Sequence, residues 1–131
     1  MSGLTSVKVS DIMSKYILTI PPDLSLKEVA EKMLEKNVGS AIVVDESRKC
    51  LGIITERDFL RLFKEGVNRF SPVKEHMKIN PIMIREDKSL NEARNIMITH
   101  QIRHLPVIDY DERVVGILSF RDIFERIEKI I

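Results

Sequence analysis

Apolar residues along the chain fall into short runs of two periods, and the runs come in the same order in both halves. Leu26, Val29, Ala30, Met33 and Leu34 recur every three or four positions, the spacing that gathers them on one core-forming face of a helix. Ser25 with Glu28, and Ser89 with Glu92, place a hydroxyl three residues before a carboxylate, which caps orphan N–H groups where a helix begins. Two β-rich runs follow in each half: SAIVVD and CLGIIT joined by ESRK, then HLPVID and VVGILS joined by YDER. Strands this apolar are expected to be covered on both faces. A further helix is predicted after Thr55, carrying Phe59, Leu60, Leu62 and Phe63, and another after Ser119, carrying Ile123, Phe124 and Ile127. Each half also opens with a short helix, capped by Ser10 or by Ser71 with Pro72 and ending at Met13 or Met77. A brief extended stretch, ILTI or PIMI, comes next.

A constant shift of 64 residues superimposes the two halves without a gap. Under it Met13, Ile20, Asp23, Glu28, Met33, Val43, Asp45, Gly52, Arg57 and Asp58 meet identical residues in the second half. The implied organisation is two repeats, residues 1–66 and 67–131, with KEGVNRFSP between them. Each is helix, strand, helix, strand, strand, helix. A unit of about 60 residues is marginal alone, so packing the apolar faces of the two sheets together is the natural remedy. The fold class is α/β (α+β): two small three-stranded sheets with helices packed on them, related by pseudo-two-fold symmetry.

Composition narrows the function more than the fold. At 131 residues and 15.2 kDa the chain has room for one compact module and no separate catalytic domain. A net charge of +1 creates no field that would call for nucleic acid or an anionic membrane, so any anion site must be local. Cys50 is the single cysteine, with no partner for a disulfide or a zinc cluster, and is read as a small side chain at a strand start. Apolar runs of about five residues are far too short to span a bilayer. The protein is therefore expected to be soluble and cytoplasmic. No His, Cys or acid cluster has metal-ligand spacing, and His76 and His100 read as helix-surface residues. Without a nucleophile elbow or a Walker-type loop, an enzyme is not expected.

The candidate chemistry lies in GIITERD, residues 52–58, and GILSFRD, residues 116–122. Thr55 with Asp58, and Ser119 with Asp122, are competent helix caps and equally competent grips on a polar ligand. The two roles are compatible.

These motifs, together with VSDIM, the Asp-x-Ser-Leu-x-Glu helix starts and QIRHLPVID, resemble the tandem cystathionine-β-synthase (CBS) domain pair, or Bateman module, over nearly the whole chain. The resemblance implies a regulatory binding module with two clefts between the repeats, taking adenosine-containing ligands such as AMP, ADP, ATP, S-adenosylmethionine or NAD. It also implies disc-like homodimers and an effector protein of unknown identity. By resemblance the first cleft is formed by Ile53, Ile54, Thr55 and Asp58 with Ile82, Met83, Arg103, His104 and Arg121. The second is formed by Ile117, Leu118, Ser119 and Asp122 with Leu18, Thr19, Gly39 and Ser40. Arg57, carried by the first cleft's motif, is placed to reach the second. The aspartates would hold ribose, the hydroxyls ribose or phosphate, and the basic residues phosphate. Adenine would lie on apolar side chains and read backbone amides. With two Arg and a His the Asp58 cleft is expected to be the stronger phosphate binder, and the Asp122 cleft to suit a less charged ligand. The order Arg103-His104 inverts the His-Arg of the family's kinase subunits. The alternative is a structural dimer with empty clefts, the apolar helices around Phe59–Phe63 and Ile123–Ile131 forming its contact.

Overall fold

The computed structural model describes residues 3–130, the side chains of Leu4 and Ile130 excepted; Ile131, the end of the apolar stretch assigned to the last helix, lies outside them. Two short helices, α1 (Gly3–Ser6) and α2 (Val9–Ile12), precede β1 (Thr19–Ile20), α3 (Leu26–Lys36), β2 (Ser40–Val44), β3 (Cys50–Thr55) and α4 (Glu56–Glu65). After a 3-10 turn at Val73–Glu75 come β4 (Lys78–Ile79), β5 (Ile84–Arg85), α5 (Leu90–His100), β6 (His104–Ile108), β7 (Val114–Ser119) and α6 (Phe120–Ile130). The mixed α/β class agrees with the sequence reading.

The chain packs as two compact units, and their limits differ from those of the sequence repeats. One unit is continuous, from Ile17 to Pro81; the other is split, joining the residues up to Tyr16 to those from Ile82 onward. In the continuous unit the sheet has the order β1-β2-β3-β4, with β1 parallel to β2 and the remaining pairs antiparallel. Its core holds Ile20, Leu26, Val29, Met33, Ala41, Val43, Ile54, Leu62 and Val73. In the split unit the order is β5-β6-β7, and the core holds Val7, Val9, Ile84, Leu90, Ala93, Met97, Leu105, Val107, Leu118 and Ile123.

Backbone irregularities recur with the repeat. The register slips between Val43 and Val44 and again between Val107 and Ile108. Asn37 and Gln101 both end their helices in the left-handed region, and Arg48 and Glu112 take it in the two hairpin turns. Asp45 and Asp109 set those turns by accepting backbone N–H bonds on Oδ1, from Ser47 and Lys49 in one and from Asp111 and Arg113 in the other.

The leading segments explain the split. Val9 N–H donates to Lys88 O at 2.8 Å and Leu90 N–H to Val7 O at 2.8 Å, so the first residues of the chain cap the α5 region. Met13 lies on Gly116, where an added Cβ would stand 2.8 Å from its Sδ and 2.9 Å from Ser14 O. In the continuous unit Met77 lies on Gly52, where a Cβ would stand 2.5 Å from Sδ and 2.8 Å from Lys78 O. Each glycine is thus a slot for the methionine that ends a leading segment.

Five expectations are corrected. Leu34 is 81% exposed, because the α3 stripe that reaches the core stops at Met33. Lys8, not Ser10, occupies the cap position of α2, and the helix predicted after Ser71 and Pro72 is a 3-10 turn. The first sheet gains a fourth strand, β4, which pairs with Gly52 and Ile53. His76 is half-buried with its Nε2 enclosed and unpartnered, whereas His100 is exposed as expected. Coverage of both faces holds for β2 and β6, where three successive residues are buried, but β7 alternates buried and half-buried positions. No helix among the described residues is long and apolar enough to cross a membrane.

Candidate functional site

Each unit has one corner where its last long strand turns directly into a helix, and the two motifs occupy these corners. At the end of β3, Thr55 caps α4: Asp58 N–H donates to Thr55 Oγ1 at 3.3 Å, while Thr55 N–H and Oγ1–H donate to Asp58 Oδ2 at 2.9 and 3.1 Å. At the end of β7, Asp122 N–H donates to Ser119 Oγ at 3.1 Å and Ser119 N–H to Asp122 Oδ2 at 2.8 Å. The caps read from the sequence are therefore present in both halves. They draw on Oδ2, and a carboxylate has about four acceptor sites, so capping does not exhaust either aspartate. Arg61 Nη2 stands 3.7 Å from Asp58 Oδ1 and adds a weak, partly exposed ion pair.

The neighbouring strand completes each corner. Ser40 pairs with Thr55 across β2 and β3, and Glu56 N–H donates to Gly39 O at 3.0 Å. His104 pairs with Ser119 across β6 and β7, and Phe120 N–H donates to Arg103 O at 2.8 Å. The continuous unit therefore gathers Gly39, Ser40, Thr55, Arg57 and Asp58, and the split unit gathers Arg103, His104, Ser119, Arg121 and Asp122. Arg57 and Arg103 are exposed. Arg121 is 87% exposed and ion-paired to Glu125 at 3.1 Å. Around Arg103 and His104 runs an open groove of about 790 Å³, also lined by Ser119, Phe120, Arg121, Phe124 and the end of α5. That volume lies within the usual range for small-molecule sites.

The apolar candidates divide by depth. Ile54 and Leu118 are fully buried members of their units' cores, so they offer a ligand backbone rather than side chain. Ile53 is buried, Ile117, Met83, Leu18 and Thr19 are half-buried, and Ile82 is exposed. Leu18 O is already used, accepting from Ile42 N–H at 2.9 Å.

Sequence reasoning missed two corner residues, Glu56 and Phe120, which occupy the same variable position of the repeated motif. A Cβ on Gly39 would lie 2.9 Å from Glu56 Oε1, so the Glu56 side chain is folded back over that glycine. No local pattern pointed to them, because each meets its partner only when the strands pair. Away from the corners, burial pushes the Cys50 thiol up to about 11, which leaves it protonated and unreactive at neutral pH. Among the described residues no group of His, Cys and acidic side chains could hold a metal ion.

Comparison with known proteins gives the family. The model of the CBS domain matches residues 9–65 and again 73–129. An uncharacterized 17.7 kDa protein of Acidianus ambivalens is 36% identical over 90% of this chain and 71% of its own length. Uncharacterized protein MK0525 of Methanopyrus kandleri is 32% identical over 93% of this chain, which spans only 63% of that relative. Among solved structures, the CBS domain pair of protein MJ0100, in complex with 5′-methylthioadenosine and S-adenosyl-L-methionine, superposes with a TM-score of 0.87 at 30% identity, covering 95% of this chain and 98% of that one. With two matches to the domain that together take in most of its length, the chain belongs to the CBS domain family and is a tandem pair of such domains.

Proposed function

We propose that the protein is a regulatory module that binds an adenosine-containing ligand at the residues of its two strand–helix corners and signals its presence to a partner protein. The observation that carries this reading is the repeated Thr/Ser–Asp corner. In each, a carboxylate fixed by backbone N–H bonds keeps acceptor capacity for vicinal ribose hydroxyls. The ligands of the MJ0100 pair, both built on adenosine, support the class. Arg103, His104 and the groove beside them favour an adenine nucleotide, AMP, ADP or ATP, as the phosphate-bearing member of that class. The pairing of Asp58 with Arg103 and His104, and of Asp122 with Gly39 and Ser40, is taken from the family likeness and is part of the proposal.

Such a ligand shifts the balance between arrangements of the module by its difference in affinity for them, which is what an effector would sense. A thermal-shift series with AMP, ADP, ATP, S-adenosylmethionine, 5′-methylthioadenosine and NAD tests the class, since selective binding to the native state raises the melting temperature. Calorimetric titration then tests the site: Asp58→Ala should weaken nucleotide binding more than Asp122→Ala, and two unchanged isotherms would refute the assignment.

A homodimer is the second part of the reading. Leu60 and Phe63 on α4 are 72% and 86% exposed, and Phe120 and Phe124 on α6 are 43% and 52% exposed, large apolar side chains of the kind that an interaction surface covers. Light scattering across a concentration series measures it. A monomer at every concentration, with nucleotide binding intact, would remove the dimer and keep the sensor.

A further inference from the structure

We infer that Met13 and Met77 are a matched pair of oxidation sites: peroxide converts each thioether to its sulfoxide, which no longer fits the glycine slot beneath it and loosens the strand that ends at the corner. The site stands on geometry that needs no ligand; its consequence for binding rests on the adenosine reading above.

Two methionine pairs recur with the repeat, and they differ in access to solvent. Met33 and Met97 lie on α3 and α5 at 5% and 1% exposure, sealed in their cores. Met13 and Met77 are half-buried, each packed at the margin of its unit's core. Their sulfurs rest on glycine: a Cβ on Gly116 would lie 2.8 Å from Met13 Sδ, and one on Gly52 would lie 2.5 Å from Met77 Sδ. A backbone carbonyl oxygen crowds the same point in each slot, Ser14 O at 2.9 Å and Lys78 O at 2.8 Å. The residue after each methionine then pairs with the strand. Ser14 and Ile117 exchange N–H bonds at 2.9 and 3.0 Å, and Lys78 pairs with Ile53. Ile117 and Ile53 lie two positions before Ser119 and Thr55, so the methionine contact and the corner share one strand segment.

Methionine in such a slot has an ordinary role, since its unbranched, polarizable side chain fills irregular gaps. Filling needs only an apolar group of the right volume. What sets these two apart is that the oxidisable atom itself makes the contact and that the residue reaches solvent. In the reaction a sulfur lone pair attacks one oxygen of hydrogen peroxide. An S–O bond forms as the O–O bond breaks, and the departing hydroxide takes up a proton and leaves as water. The sulfur gives up an electron pair to peroxide, and a sulfoxide reductase with a thiol donor reverses the change. The new oxygen is a hydrogen-bond acceptor. Turned into the slot, it meets the glycine Cα and the carbonyl oxygen; turned outward, it draws the sulfur toward water and empties the slot. Either way the pairing of Ser14 with Ile117, or of Lys78 with Ile53, loses its support.

The test treats the protein with hydrogen peroxide, reads oxygen uptake at each methionine by peptide mass spectrometry, and follows backbone amide exchange alongside. Met13 and Met77 should each gain one oxygen while Met33 and Met97 stay thioethers. Exchange in Cys50–Thr55 and Val114–Ser119 should accelerate about tenfold, the factor that a typically overfilled packing site produces, and methionine sulfoxide reductases should restore it. Combining Met13→Leu with Met77→Leu keeps the volume, so peroxide should leave exchange in that variant unchanged. Met83→Leu removes a half-buried methionine that lies against neither glycine and should give no protection. The reductase arm uses the wild type alone, so it decides even where the leucine variant fails to fold. Calorimetric titration with AMP should show binding lost on oxidation of the wild type and regained on reduction. Met13 and Met77 left intact by peroxide that oxidises Met83, oxidation without faster exchange, or an equal acceleration in the leucine variant each overturn the inference. An untreated wild type that binds no AMP removes the adenosine reading, and the exchange result still decides this one.

Discussion

At the corner of the continuous unit a strand ends in Thr55 and the adjoining strand enters through Gly39 and Ser40; at the corner of the split unit the corresponding residues are Ser119, Arg103 and His104. The hydrogen bonds that shape the two places are the same: strand N–H to aspartate, helix N–H to hydroxyl, first helical N–H to the neighbouring strand's carbonyl. The groups that make these bonds are the same in both halves, and the side chains around them differ. Asp58 and Asp122 are fixed by their N–H bonds, whereas the backbone bonds that join residue 56 to 39 and residue 120 to 103 do not depend on the side chains at those positions. Their side chains were free to acquire different charges. A duplicated module can thus present two unlike sites on one scaffold.

The sharpest way to test that separation is to disturb the conserved layer first. Leu118 and Ile54 are fully buried at matching positions of β7 and β3, and truncating either to alanine should cost about 3 kcal/mol in a urea titration. A much smaller loss at one of them would show that the two cores are not equivalent. The glycine slots come next. Gly52→Ala forces a Cβ to within 2.8 Å of Lys78 O, a backbone atom that cannot swing aside, and should destabilise by about 2 kcal/mol. Gly116→Ala meets Ser14 O at 2.9 Å and should behave similarly. Gly39→Ala meets only the end of the flexible Glu56 side chain, so stability should be unchanged or slightly raised. If all three glycines proved equally sensitive, the distinction between scaffold and variable layer would fail.

The caps lie between these extremes. Asp58→Asn and Asp122→Asn each replace a charged acceptor at a helix N-terminus, with an expected cost of about 1 kcal/mol. Asp58 accepts from two groups of Thr55 on Oδ2, whereas one such bond is recorded for Asp122, so the first substitution should be the costlier. Equal melting temperatures would contradict this order.

What was legible in the sequence follows the same division. The main helices and strands and both Thr/Ser–Asp caps could be read because they depend on residues within a few positions of one another, and the repeat because one gapless shift aligns the two halves. The exposure of Leu34, the pairing of β4 with β3, and the docking of residues 3–16 on the α5 region depend on partners distant in the chain, and periodicity carries no record of them. Glu56 was missed for a related reason. Its contact with Gly39 arises only once β2 and β3 are in register, when a residue 17 positions away becomes its neighbour. Of the candidate ligand residues, the motifs carry Thr55, Arg57, Asp58, Ser119, Arg121 and Asp122, and strand pairing brings Gly39, Ser40, Arg103 and His104 beside them.

The smallest expected effect concerns a clamp that one unit has and the other lacks. Asp87 takes both Arg85 Nε–H and Nη2–H, at 2.9 and 3.1 Å, and Tyr110 O–H at 2.8 Å, with the Arg85 guanidinium 4.5 Å from the Tyr110 ring centre. Hydrogen bonds from Arg85 and then Tyr110 hold the Asp87 carboxyl well below its ordinary value of 3.8. The aspartate at the matching position of the continuous unit, Asp23, has a single lysine partner, Lys74 Nζ at 2.7 Å. Because folding depresses the Asp87 value, the clamp's contribution is complete above pH 3.8 and is lost as the pH falls through the lower, folded-state value. Surface exposure keeps the contribution small. In urea titrations from pH 7 to strongly acid conditions, Asp87→Asn should lower the midpoint slightly at pH 7 and flatten the acid decline, so that the variant and wild type converge at the acid end. A variant curve that stays parallel to the wild type throughout would show that ionisation of Asp87 is not linked to folding and that the Arg85–Asp87–Tyr110 contact is no source of acid sensitivity.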